Sequence, residues 1–174
     1  MSEELRYPIG KFSRDIEITP ELRKEFIVEI SNLPIKLKAS IADLNDEQLD
    51  TPYRPAGWTV RQTIHHVADS HLNSLIRFKL ALTEDAPTIR PYYEERWAEL
   101  SDSFLPLESS IKILEGLHFR WTTFLNSMSD ADFQRKLVHP DSGDWTLEQM
   151  LGLYAWHGKH HTAHITSLRD RNNW

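Results

Sequence analysis

The chain has 174 residues, a formal net charge of −6 and no cysteine. That length suits one domain with a sizeable core; the acidic balance leaves no basic stripe to displace counterions from nucleic acid, and without thiols there is no disulfide framework, Cys-based zinc site or cysteine nucleophile. Met1-Ser2-Glu3-Glu4-Leu5-Arg6 lacks the basic-then-apolar plan of a signal peptide and no apolar run approaches the roughly 20 residues of a membrane span, so a soluble, cytoplasmic protein acting on a small molecule is expected.

Residues 1–18, with Pro8, Gly10 and little periodicity, read as an extended N-terminal arm over a single domain spanning 1–174. Thr19-Pro20 opens the first long helix, with Thr as N-cap and Pro at the first helical position. Phe26, Ile30, Leu33, Leu37, Ile41 and Leu44 follow at spacings of 4, 3, 4, 4 and 3, a single buried stripe. Pro34 lies within it and should kink or split the helix. A polar break from Asn45 to Leu49 and a loop through Pro52, Pro55 and Gly57 lead to Thr59-Val60-Arg61-Gln62, a capping box. The second long helix repeats Val60, Ile64, Val67, His71, Leu75, Phe78 and Leu82 at helical spacing, flanked by a polar row of Thr63, His66, Ser70, Asn73 and Arg77. Residues 83–106, with Pro87, Pro91 and Pro106, read as a long crossover with a short helix near Glu94-Glu95-Arg96-Trp97. A third long helix runs from Leu107 through Ile111, Leu114, Leu117, Trp121, Phe124 and Met128, and stops at Ser129-Asp130-Ala131-Asp132-Phe133. A loop through His139-Pro140-Asp141 and Gly143 then reaches Trp145-Thr146-Leu147-Glu148-Gln149, the opening of the fourth.

The pattern Trp-Thr-x-x-Gln thus occurs at Trp58-Thr59 and at Trp145-Thr146, each time after a related polar break. The chain reads as two helical hairpins joined by the crossover, an all-α four-helix bundle. No period-2 stretch is long enough to suggest a sheet.

Four of the nine histidines fall between His157 and His164 on the fourth helix. Histidines at i and i+4 share a helical face with Cβ atoms about 5–6 Å apart, close enough for one metal ion to accept both. His157/His161 and His160/His164 both have this spacing. On the helical wheel Leu147, Met150, Tyr154, His157, His161, Ile165 and Leu168 share the inward sector, which favours His157/His161; His160 falls on the flank, and His164 lies near the inward edge, placed to touch a ligand or the substrate. A third ligand should come from the second helix. Its wheel disfavours His65 and leaves both His66 and His71 open.

The run from Gly57 to His71, together with Trp156-His157, His160-His161-Thr162-Ala163-His164-Ile165-Thr166 and shorter segments at Tyr7-Pro8-Ile9-Gly10, Leu49–Arg54 and Ile89–Tyr92, resembles the YfiT branch of the DinB-like superfamily. The resemblance implies a four-helix bundle, a homodimer, and one divalent metal ion per subunit, zinc first and nickel second. Matched position by position, it gives His66, His157 and His161 as the metal ligands. It also implies a metal-dependent hydrolase or a bacillithiol S-transferase.

Three neutral imidazoles leave a zinc ion an open position and its full charge. The favoured expectation is transfer of a low-molecular-weight thiol such as bacillithiol to an electrophile or xenobiotic through a metal-bound thiolate, since the chain has no thiol of its own. Arg54, Arg77 and Arg90 are candidate anchors for an anionic thiol, with His71 beside them as a further contact. The alternative is metal-dependent hydrolysis by a metal-bound water, for which Asp69, Asp141 or Asp144 are candidate bases. His-Glu-x-x-His is absent because Gly158 follows His157, so the helical metalloprotease plan is not supported. A non-catalytic metal-binding module is the reading from outside the enzymes.

Overall fold

The computed structural model describes residues 2–174; Met1, the first residue of the expected arm, lies outside them. Helices α1 (Ser2–Arg6), α2 (Pro20–Ser40), α3 (Asp46–Leu49), α4 (Val60–Thr83), α5 (Glu94–Trp97), α6 (Glu108–Asn126), α7 (Asp130–Phe133) and α8 (Leu147–Asn172) are joined by a 3₁₀ turn at Ser101–Phe104 and two strands, β1 (Lys136–His139) and β2 (Gly143–Thr146). The four long helices α2, α4, α6 and α8 are those expected. Thr19, Thr59 and Thr146 cap α2, α4 and α8 through their hydroxyls, with reciprocal Gln62 and Gln149 bonds closing two capping boxes.

Three features depart from the sequence reading. The polar breaks are themselves single helical turns, α3 and α7, each with its own capping box on Asn45 and Ser129. A two-stranded antiparallel sheet pairs Lys136 with Thr146 and Leu137 with Trp145; four-residue strands are too short for period 2 to be read. The arm is not wholly extended, since α1 occupies Ser2–Arg6, although it does pack over the domain. Arg14 reaches the carbonyls of Ser142 and Asp144 and the Trp156 indole donates to Gly10 O.

Pro34 does not split α2. Proline lacks the N–H that would bond the carbonyl four residues back, Ile30 O, and His118 Nδ1 donates to that same carbonyl at 2.5 Å from α6. The orphaned acceptor is satisfied by a neighbouring helix, which lets α2 run on to Ser40.

The principal packing partners are α2 with α8 and α6, and α4 with α6 and α8. The two long helices of each half, α2 with α4 and α6 with α8, therefore stand diagonally across the bundle and the two halves interleave, with long connections crossing the ends. The crossover after α4 is pinned to β1 by Ile89 N–H to Val138 O and Val138 N–H to Pro87 O, both 2.9 Å. The apolar core forms two clusters. One holds Phe78, Trp121, Leu137, Leu147 and Leu151, the other Leu37, Ile64, Val67, Leu114 and Ile165. Between them, near the middle of α4, α6 and α8, the helices present His66, His71, His118, His157 and His161, so a polar layer interrupts the core where a purely structural bundle would be apolar.

Candidate metal centre

His66 projects from α4 and His157 and His161 from successive turns of α8, and one nitrogen of each lies within 4.8 Å of the others. His66 Nε2 and His157 Nε2 are 3.2 Å apart. Two ligands on one ion at about 2.0–2.1 Å are separated by about 3.0–3.4 Å, so this gap fits a shared ion. Two facing imidazole nitrogens otherwise give one hydrogen bond and nothing for the third ring. The turn between the α8 pair is Gly158, where a Cβ would come within 2.7 Å of the Leu33 side chain. Glycine there lets α2 press against α8 directly behind the two imidazoles.

Protonation suits the same role. Burial pushes His66 down to about 4, with the charge of His160 acting in the same direction. Burial also holds His157 and His161 well below the usual histidine value, with the neighbouring histidines adding to the shift. All three are neutral at neutral pH, the form that offers a lone pair. His71 Nε2 lies 3.2 Å from His157 Nδ1. A proton on His157 Nδ1 shared with His71 leaves Nε2 free to face His66, the usual support for a ligating histidine. His161 Nδ1 is buried without a hydrogen-bond partner.

The histidines line a cavity of about 360 Å³. Trp58 closes one wall, its ring 4.5 Å from that of His66, and Trp156 and Tyr53 form another by stacking on His160 and His164. Arg6, Tyr7 and Arg54 also line the cavity, as do Glu94 and Glu95 from the crossover. Ala56, also in the lining, has φ 55°, a left-handed conformation unusual for a residue with a Cβ. Burial raises the Glu94 carboxyl and Glu95 adds to the rise.

His160 departs from its wheel position: it is 7 % exposed because the arm covers the flank on which the wheel placed it. With His161 and His164 it forms a second group of nitrogens within 4.8 Å, although His164 Nε2 is engaged by Arg6 O at 3.1 Å. Of the three arginines, Arg54 is in the histidine cavity, Arg77 is buried in an adjoining one, and Arg90 is exposed on the crossover. The aspartates fall elsewhere. Asp69 sits in an outer hollow beside His65, and Asp141 and Asp144 are exposed at the β1–β2 turn. The cavity carboxylates are instead Glu94 and Glu95, which sequence reasoning placed on a short helix without assigning them chemistry. Only the long-range pairing of the crossover with β1 shows where that helix lies.

The sequence pattern of the DinB superfamily matches residues 34–165, and the chain belongs to that superfamily. A protein of Bacillus mycoides (strain KBAB4), which bears the name "Putative metal-dependent hydrolase", is 57 % identical over 172 residues, covering 99 % of each chain. A relative of the same name from Bacillus cereus (strain AH820) is 58 % identical over 171 residues, 98 % of this chain and 99 % of its own. Among solved structures, YfiT from Bacillus subtilis, described as "a probable metal-dependent hydrolase with an unusual four-helix bundle topology", superposes with a TM-score of 0.95 at 49 % identity, covering 98 % of this chain and 99 % of that one. Among the described residues no helix is long and apolar enough to cross a membrane.

Proposed function

We propose that this chain is a metal-dependent transferase that holds one divalent ion, zinc by preference and nickel as the alternative, on His66, His157 and His161, and joins a low-molecular-weight thiol of the bacillithiol type to an electrophile. The observation that carries the reading is the convergence of three neutral imidazoles from two helices on one point in the wall of an open cavity. An ion bound there supplies a Lewis acid that lowers the pKa of a thiol or water in its remaining position.

The chain's own groups supply the rest. With no cysteine in the sequence, the thiol comes from a co-substrate, and Arg6 and Arg54 give the cavity the charge to hold an anionic one. Glu94 faces the same space with a raised pKa, placed to take the proton the thiol releases. Trp58 and Trp156 narrow the cavity around the histidines and strengthen electrostatic interactions there by excluding water.

The test is metal analysis of untagged protein followed by conjugation of bacillithiol to a chlorinated electrophile. Stoichiometric metal and thiol-dependent turnover, both lost in His66→Ala, are expected; metal-loaded protein that does not accelerate conjugation contradicts the reading. Hydrolysis is the second reading. It is favoured by the two cavity carboxylates, either of which can accept a proton from water, and by the names of the relatives. Ester or amide turnover without thiol, abolished by chelation, selects it.

A cytoplasmic homodimer is part of the same proposal. Ile35 and Phe119 are 72 % and 77 % exposed beside a groove between α2 and α6, an apolar surface suited to a second copy.

A further inference from the structure

Behind His157 lies a second cavity of about 200 Å³, lined in part by Ser70, Arg77, Tyr92, Tyr154 and His139. His157 and Glu94 line both cavities and form the partition between them. Arg77 is 9 % exposed. Of its five N–H donors, one makes a hydrogen bond, from Nη1 to the Tyr154 hydroxyl at 3.2 Å. Among the described residues no carboxylate lies within ion-pairing distance of it. The other buried arginines differ: Arg23 is paired with Asp130 and Glu148, and Arg61 with Asp46 and Asp50.

A buried guanidinium without a paired counter-charge is costly, and none of the groups facing Arg77 forms an ion pair with it. Glu94 is the acid of this cavity, yet it makes no ion pair with Arg77, and burial and Glu95 raise its carboxyl. Burial lowers His139 and the charge of Arg77 lowers it further, against the opposing charge of Asp141, so it offers Arg77 no negative charge. The Tyr92 phenol, hydrogen-bonded to Ser70, is raised by burial and is neutral. What remains is a cation ringed by hydroxyls that can donate, opening onto a small space that abuts a histidine of the metal centre.

We propose that this cavity is a subsite for a carboxylate on the substrate, which Arg77 binds with the aid of the Tyr92 and Ser70 hydroxyls while the reacting group lies on the other side of His157. The inference rests on the reading of His157 as part of the reaction centre. A planar carboxylate matches the fork of a guanidinium. A monoanion is specified because a dianion such as phosphate would leave one negative charge unpaired beside Glu94. The substrate class is thus a small carboxylic acid, or a larger molecule carrying a carboxylate close to its reacting centre.

The experiment is a titration of zinc-loaded, ¹⁵N-labelled protein with acetate and, separately, with its neutral analogue acetamide, following the Arg77 Nε–H signal assigned through its own backbone. Acetate should shift that signal saturably and acetamide should not. Tyr92→Phe should weaken the response about ten- to a hundredfold, the usual loss for one hydrogen bond to a charged group. The same titration of metal-depleted His66→Ala should leave the Arg77 response in place, so a failure of the metal reading does not masquerade as a failure of the subsite. No saturable shift at Arg77, an equal response to acetamide, or an acetate response confined to the histidines overturns the proposal.

Discussion

The two halves of the bundle solve one structural problem with opposite charges. In each, a capped single turn precedes a loop and a Trp-Thr-x-x-Gln start, and the backbone closes alike: Val60 N–H bonds Thr51 O in the first half and Leu147 N–H bonds Arg135 O in the second. Each single turn also begins with an aspartate, Asp46 or Asp130. In the first half Asp46 is met by Arg61, the fourth residue of the Trp58-Thr59-Val60-Arg61 run, with Asp50 sharing it. The equivalent position in the second half is Glu148, so the cation comes from another helix, Arg23 of α2, which binds Asp130 and Glu148 together. Backbone geometry repeats because caps and turns specify it locally. Charge pairing does not repeat, because any neighbour that reaches can provide it. The candidate metal centre shows the same asymmetry, with one histidine from α4 and two from α8.

That asymmetry sets the largest expected effect. His66→Ala leaves the i, i+4 pair on α8, two nitrogens still held by one helix. His157→Ala breaks the pair and also strands His71, whose Nε2 loses its partner. Both should weaken zinc binding beyond the roughly 10–100-fold typical of losing only a ligand's support, with His157→Ala the weaker binder. Competition against a chelating dye measures both, and circular dichroism checks that the helices persist. Wild-type affinity in either variant would remove that residue from the centre.

The four long helices and their starts were legible in the sequence because caps and 3.6-residue stripes are local. The pairing of His157 with His161 in the candidate site was legible for the same reason, since their spacing lies within one helix. The helical wheel could not choose between His66 and His71, and the family resemblance alone favoured His66, because both fall on the inward half of α4 and only the position of α8 separates a residue facing the cavity from one behind His157. Glu94 and the burial of His160 depend on the crossover and on the arm, segments with no periodicity to place them. That Pro34 would not split α2 was illegible for an equally physical reason: His118, which binds the carbonyl of Ile30 that the proline leaves free, lies 88 residues from Ile30.

His118 gives the next effect, a link from the second half to the first. Its pKa is pushed down to about 4 by burial, against the opposing hydrogen bond to Ile30 O, whereas the unfolded value is near 6.5. Between those values the unfolded chain binds the proton and the folded chain does not, so stability falls with pH. The contribution is fully present above about 6.5 and is lost as pH drops towards 4, on the order of 3 kcal/mol. His118→Asn keeps a donor for Ile30 O and removes the titration. Urea midpoints of chelator-treated protein from pH 7.5 to 4 should therefore fall less steeply in the variant. Parallel curves would show that other histidines carry the acid sensitivity.

The smallest effect tests the repeat itself. Thr59 and Thr146 cap α4 and α8 through the same pair of reciprocal bonds, so replacing either by Ala should cost about 1 kcal/mol in urea denaturation. Equal losses are expected if the two starts are energetically equivalent as well as alike in geometry. Their effect on zinc binding should differ. His66 follows its cap by two helical turns and His157 follows Thr146 by three, while capping influences fade over the first turn. Any weakening of zinc affinity should therefore appear in Thr59→Ala before Thr146→Ala. A larger loss in Thr146→Ala would mean that the β1–β2 hairpin, whose last residue is Thr146, holds α8 in register for its two histidines.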